Sequence, residues 1–83
     1  MKYKIGDAVS INNTEWVISE HRLGRGRQWT YTLSHEDTDG TYTTMSLNER
    51  AMDGLAKTGG MMGSKDEISG WWREYTYKYE ISK

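Results

Sequence analysis

The sequence predicts one small, mainly β domain over residues 1–83, a partly open barrel of five strands with one short helix between the fourth and fifth. Three observations carry that prediction. Several short runs alternate apolar and polar residues at period two, and turn-forming Asn, Gly and Asp residues separate them. One segment, starting near Leu47, places apolar residues at helical intervals behind a capping signal. A final stretch gathers two of the four Trp and three of the six Tyr in residue types that favour strands.

Taken in order, Tyr3, Ile5, Val9 and Ile11 share parity, with Gly6-Asp7 marking a bend in this first strand. Asn12-Asn13 forms a tight turn, because Asn tolerates positive φ. Thr14 to Glu20 returns as the second strand around Trp16, Val17 and Ile18. His21 to Arg27 reads as a loop, since two glycines among three arginines neither pack nor hold a strand. Gln28 to Ser34 is the third strand, with Trp29, Tyr31 and Leu33 inward. His35 to Gly40 ends in an Asp-Gly turn, and Thr41 to Met45 is the fourth strand.

Ser46 and Glu49 have capping-box spacing, and Leu47, Ala51, Met52, Leu55 and Ala56 follow at helical intervals. A helix from Leu47 to Lys57, stopped at Gly59, is therefore expected. Gly59 to Gly63 reads as a flexible connection, and Ser64 to Glu67 repeats the capping spacing for a single helical turn. From Trp71 onward two periods compete. At period two, Trp71, Tyr75, Tyr77, Tyr79 and Ile81 share a face; at helical spacing, Ile68, Trp71, Trp72, Tyr75 and Tyr79 do. The strand is preferred, because Tyr-Thr-Tyr-Lys-Tyr is a poor helix interior. It is expected to pair antiparallel with the first strand, which removes most free edges.

Composition narrows the function. A net charge of −1 points neither to a strong nucleic-acid binder nor to a nucleic-acid mimic. The chain has no Cys, so it has no disulfide, no thiol nucleophile and no Cys-based zinc site. No apolar run approaches a signal-peptide core or a membrane span, and a cytoplasmic protein acting away from membranes is expected. No paired-carboxylate, Ser–His or Gly-rich phosphate motif is present, so neither enzymatic activity nor a cofactor is expected.

The run Tyr3-Lys4-Ile5-Gly6-Asp7-Ala8-Val9-Ser10-Ile11, followed by Thr14-Glu15-Trp16-Val17-Ile18, resembles the first hairpin of SH3-like small barrels of the KOW and Tudor kind. The whole chain, short, Cys-free and rich in Tyr and Trp, is also similar in style to small barrel proteins encoded by bacteriophages and prophages. That resemblance implies a non-catalytic module that binds and modulates, as an inhibitor or regulator, a bacterial host protein. A defence or nucleic-acid-processing enzyme is the kind of partner implied. Either a monomer or a homodimer is compatible with the sequence.

Four features are candidate contact sites. Arg22, Arg25 and Arg27 on a glycine-rich loop offer bidentate recognition of carboxylates or phosphates; the alternative is a solvated loop that keeps the chain soluble. Trp29, just beyond, offers a stacking face for a base, the basis of an alternative RNA- or DNA-binding reading. Met61 and Met62 between glycines suit an adaptable surface, or else one of them plugs the barrel end. Trp72 faces away from the Tyr row, as an exposed anchor or as packing for the predicted helix. Asp37-x-Asp39-Gly40 is a fragment of a calcium-loop pattern, but a polar hairpin fits its flanking strands better, and no metal is expected there.

Overall fold

One antiparallel sheet with a helix on each face is the architecture. The computed structural model describes residues 3–64 and 71–79. The elements are β1 (Asp7–Ile11), β2 (Thr14–Leu23), a 3-10 turn (Arg25–Arg27), β3 (Trp29–Glu36), β4 (Tyr42–Asn48), α1 (Glu49–Lys57), β5 (Met61–Ser64) and α2 (Trp71–Tyr79). The strand order is β4-β3-β2-β1-β5, and every pair is antiparallel. β4 and β5 are the two edges and do not pair with each other, so the described strands form an open sheet rather than a closed barrel.

The hairpins follow from their turn residues. Asn12 and Asn13 both adopt positive φ, 51° and 64°, which is the backbone twist a two-residue hairpin needs. Gly40 at φ 83° closes the β3–β4 connection. β2 is the long bent member: Thr14 to Val17 pair with β1, and Val17 to Leu23 pair with β3. A register shift leaves Ser19 as an extra residue between Ile18 and Glu20. The parity of β2 therefore reverses there, and its second half turns Glu20 and Arg22 to the face that carried Val17.

The two sheet faces have separate cores. Val9, Trp16, Ile18, Tyr31 and Leu33 pack with Met52 of α1 on one face. Val17 packs with Trp72 and Tyr75 of α2 on the other, with Ile5, Tyr42 and Trp71 at the margin. Tyr3 belongs to the first cluster and Ile5 to the second, so the bend at Gly6 (φ 99°) breaks the shared parity expected of them.

α1 starts two residues later than the capping box suggested. Asn48, not Ser46, is the cap, and its side chain accepts from the Ala51 N–H at 2.8 Å. Ser46 stays in β4 because its partner Thr32 extends the β3 pairing to that point. At the exit, Gly59 and Gly60 donate to the carbonyls of Ala56 and Leu55, and Gly60 in turn accepts from Ser10 at 2.7 Å. A Cβ at Gly60 would meet backbone oxygens of Leu55 and Ser10 at 3.0 and 3.2 Å, so this close crossing of α1 exit and β1 requires glycine.

The largest correction concerns the strands beside β1. Met61–Ser64, of which Met61 to Gly63 is expected in a flexible connection and Ser64 at the start of a helical turn, is β5 and occupies the place next to β1. The aromatic run expected there is instead the helix α2. The physical reason lies in Trp71 and Trp72. A strand sends adjacent side chains to opposite sides, whereas a helix lets both rings cover one sheet face. Trp72 is fully buried, and its ring stacks on Tyr75 with centroids 5.3 Å apart and planes 11° apart. Burying one Trp removes roughly 200 Å² from water, on the order of 5 kcal/mol before entropy is counted. Strand propensity spans only about 1 kcal/mol per residue and loses to that term. The expectation of an exposed Trp72 is therefore overturned, as is its packing on α1, which lies across the sheet. Of the predicted turn Ser64–Glu67, Ser64 ends β5 and residues 65–67 lie outside the described part, as do 80–83 of the aromatic run.

Candidate functional site

The arginines gather at one end of the sheet. β2 runs on through His21 and Arg22 to Leu23, further than expected, so Arg22 is a strand residue opposite Thr30 and not part of the loop. Its guanidinium lies 3.3 Å from the Glu20 carboxylate, both side chains being well exposed. An ion pair in that setting contributes little. Arg25 and Arg27 occupy the 3-10 turn, where Gly26 and Arg27 take φ of 70° and 57°. The loop is closed by the Gly24 N–H donating to the Gln28 carbonyl at 2.8 Å. Both arginines are exposed, and Leu23 beside them is 52% exposed. The tip thus exposes three guanidinium groups and one apolar side chain, with Arg22 and Leu23 on opposite faces of β2.

Trp29 stands opposite Leu23, on the sheet face away from Arg22. Its ring makes a T-shaped contact with His21, centroids 5.3 Å apart, and packs at the margin of the α1-side core, so it is half-buried rather than freely exposed. Met61 pairs with Val9 and packs into that same core, while Met62 is 43% exposed on the β5 edge. Two strands, β1 and β2, separate β5 from β3, so the methionines lie on the far side of the sheet from Trp29. Trp72 belongs to the α2-side core. The seven candidate residues therefore form one exposed cluster (Arg22, Arg25, Arg27), one flanking aromatic, one distant edge position and two core positions.

A second feature was not foreseen. Beyond Tyr75 the α2-side sheet face turns polar. The hydroxyls of Ser19, Ser34 and Tyr75 form a buried chain with both links at 2.8 Å. Above it opens a cleft of about 400 Å³ lined by Ser19, Glu20, Thr32, Thr44, Tyr75 and Tyr79. A smaller one of about 210 Å³ lined by Glu20, Arg22, Thr30, Thr32 and Ser46 adjoins it. The signal in the sequence is the threonine and serine at alternate positions of the third and fourth strands; what hid it was the bulge at Ser19, which brings Glu20 and Arg22 to that face.

The β3–β4 turn satisfies itself. Asp37 accepts from the hydroxyls of Thr41 and Thr43, and His35 Nε2 lies 3.4 Å from the Asp37 carboxylate. The Thr41 hydroxyl and N–H donate to Asp39 and hold its carboxyl below the ordinary carboxylate range. These carboxylates are committed to the hairpin, as the polar-turn reading expects. Among the described residues no group of three or more His, Asp or Glu side chains is placed to hold a metal ion. No described helix is long and apolar enough to cross a membrane.

Elsewhere, the Tyr3 hydroxyl donates to Asp53 of α1 at 2.6 Å, and this bond, more than burial, pushes the phenol up to about 12. Burial, with Glu36 and Glu74 nearby, raises Tyr42 as well. Tyr3 thus clips the chain before β1 onto α1, with its ring edge-on to Tyr31 at 5.4 Å. No protein-family model, curated protein or solved structure matches this chain.

Proposed function

We propose that the chain is a non-catalytic protein-binding module of the SH3-like kind that binds and modulates a bacterial host protein in the cytoplasm, as small phage proteins of similar style do. The strand order β4-β3-β2-β1-β5, with a helix between β4 and β5, supports the SH3-like reading as an open variant. The observation that carries the function is the projecting β2–β3 end. Arg22, Arg25, Arg27 and Leu23 are all exposed at that end, and the Arg22–Glu20 ion pair, open to solvent, holds its guanidinium only weakly. Exposed arginine forks suit the carboxylates of an acidic protein surface, and the exposed Leu23 adds apolar contact.

The test is Arg22→Ala, Arg25→Ala and Arg27→Ala combined, used as bait beside the wild-type chain in a bacterial lysate. The expected result is loss of the wild-type partner with a thermal midpoint changed by no more than about 2 °C, as for exposed side chains away from a core. Retention of the partner by the triple variant removes the loop from the site.

A second reading, a nucleic-acid-binding barrel, draws on the same arginines with Trp29 and His21 beside them. On that reading, affinity for RNA or DNA falls by orders of magnitude between low and physiological salt, because phosphate contacts release counterions. The net charge of −1 favours the protein partner.

A further inference from the structure

The two edges of the sheet are unlike. β5 has four residues, includes a glycine, and pairs with β1 across a register shift between Ala8 and Val9. β4 has seven residues in unbroken register with β3, from Tyr42 opposite Glu36 to Asn48 opposite Thr30. Soluble proteins guard long regular edges with charges, proline or a bulge, because unpaired N–H and C=O groups otherwise recruit another strand. β4, Tyr-Thr-Thr-Met-Ser-Leu-Asn, carries no charge, no proline and no bulge. No described strand lies beyond it.

We propose that β4 pairs antiparallel with β4 of a second copy of this chain, about a two-fold axis at Met45, joining two sheets into one of ten strands. The strand fits itself. About Met45, Thr44 meets the partner's Ser46, Thr43 meets the partner's Leu47, and Tyr42 meets the partner's Asn48, with Met45 against the partner's Met45. This is the one register that uses all seven residues. It also matches the faces: Thr43, Met45 and Leu47 lie on the α1 side, and Tyr42, Thr44, Ser46 and Asn48 on the α2 side. Met45 and Leu47 are only half-buried at the margin of the α1-side core, and the partner's copies would cover them. No charge opposes a like charge across the junction, and a net −1 per chain sets little general repulsion against it. An extended segment of another protein could use the same edge, but a strand with no charge along it, in a chain of net charge −1, meets its own copy without like-charge repulsion, which favours the second copy.

The proposal is independent of the arginine loop. It does place two such loops at opposite ends of the joined sheet, because the loop lies at the Asn48 end of β4 and the two-fold reverses that strand.

The test is sedimentation equilibrium of the full chain from micromolar to millimolar concentration, with two sets of variants. The wild type is expected to approach twice the monomer mass. Thr44→Lys with Ser46→Lys sets lysines opposite the partner's lysines at two exposed positions and should weaken association roughly tenfold or more. Since the chain has no Cys, Met45→Cys provides a single thiol on the axis, and it should cross-link on mild oxidation. Tyr77→Cys, at an 87% exposed site on α2, should not. Circular dichroism confirms that each variant is folded, and if the lysine variant is not, the two cysteine variants decide. A wild type that stays monomeric at every concentration overturns the proposal. So does a folded lysine variant that associates as before, or a Tyr77→Cys that cross-links as readily as Met45→Cys. A monomer whose β4 amides gain exchange protection only with another protein assigns the edge to that protein and overturns it equally.

Discussion

The two faces of the sheet are built from the same strands and are covered in different ways. On the α1 side the cover is a helix that begins where β4 ends, and Met52 enters a core made mainly of Val9, Trp16, Ile18, Tyr31 and Leu33. On the α2 side the cover is aromatic, a Trp72–Tyr75 stack with Tyr42 and Trp71 around it, and it reaches only part of the face. Past Tyr75 the sheet offers hydroxyls and the Glu20–Arg22 pair to solvent. The α1 side is thus a closed core. The α2 side is a core for half its length and a polar surface for the rest. Alternation along β2, β3 and β4 sorts the residues, and the bulge at Ser19 sets where the change occurs on β2.

If the α2 face is as necessary as the α1 face, breaking either should unfold the whole domain. Trp72→Ala is expected to have the largest effect, a loss of about 3–5 kcal/mol. Met52→Ala on the other face should cost about 2–4 kcal/mol. Urea unfolding followed by far-ultraviolet circular dichroism and by Trp fluorescence checks both. Coincident transitions for each variant are expected; a Trp72→Ala chain that keeps a full β-sheet transition at the wild-type midpoint would make α2 an appendage.

Within the α2 side, Tyr75→Phe keeps the ring stack and removes one end of the buried hydroxyl chain, leaving Ser34 with Ser19 alone. A loss of about 1–2 kcal/mol is expected by urea titration. A neutral result would mean that the chain gains nothing from its Tyr75 link.

On the α1 side the matching polar contact is the Tyr3–Asp53 bond. Tyr3→Phe should cost about 0.5–1 kcal/mol at neutral pH, since the site is partly open to solvent. Its pH dependence has a definite sign. The phenol is raised from 10.0 to about 12 in the folded chain, so its contribution is complete below pH 10 and is lost as pH rises through 12. The stability gap between wild type and Tyr3→Phe should therefore be constant from pH 7 to 9 and close above pH 10. A gap that persists undiminished at the alkaline end would assign the effect to packing against Tyr31.

Several of these features are legible in the sequence. Asn12-Asn13 and Asp39-Gly40 fix two hairpins because few other residues take positive φ so readily. Trp29, Tyr31 and Leu33 read as one face, and that face is the α1-side core. The exposed arginines are equally plain, since a Gly-Arg-Gly-Arg segment has nothing to bury. The polar cleft could not be read, because a one-residue bulge decides which of Ser19, Glu20 and His21 faces it.

The sequence by itself determined the meander of β1 to β4, both hairpin turns and a helix after β4, because each rests on local backbone preference or on a single unambiguous period. Only the tertiary structure decided which residues lie beside β1 and what becomes of Trp71–Tyr79. That run satisfies both the strand and the helix period, so local preference cannot choose. The choice falls to burial: with Met61–Ser64 already paired to β1, the aromatic run gains most by covering the bare face around Val17, and only a helix turns both tryptophans toward it.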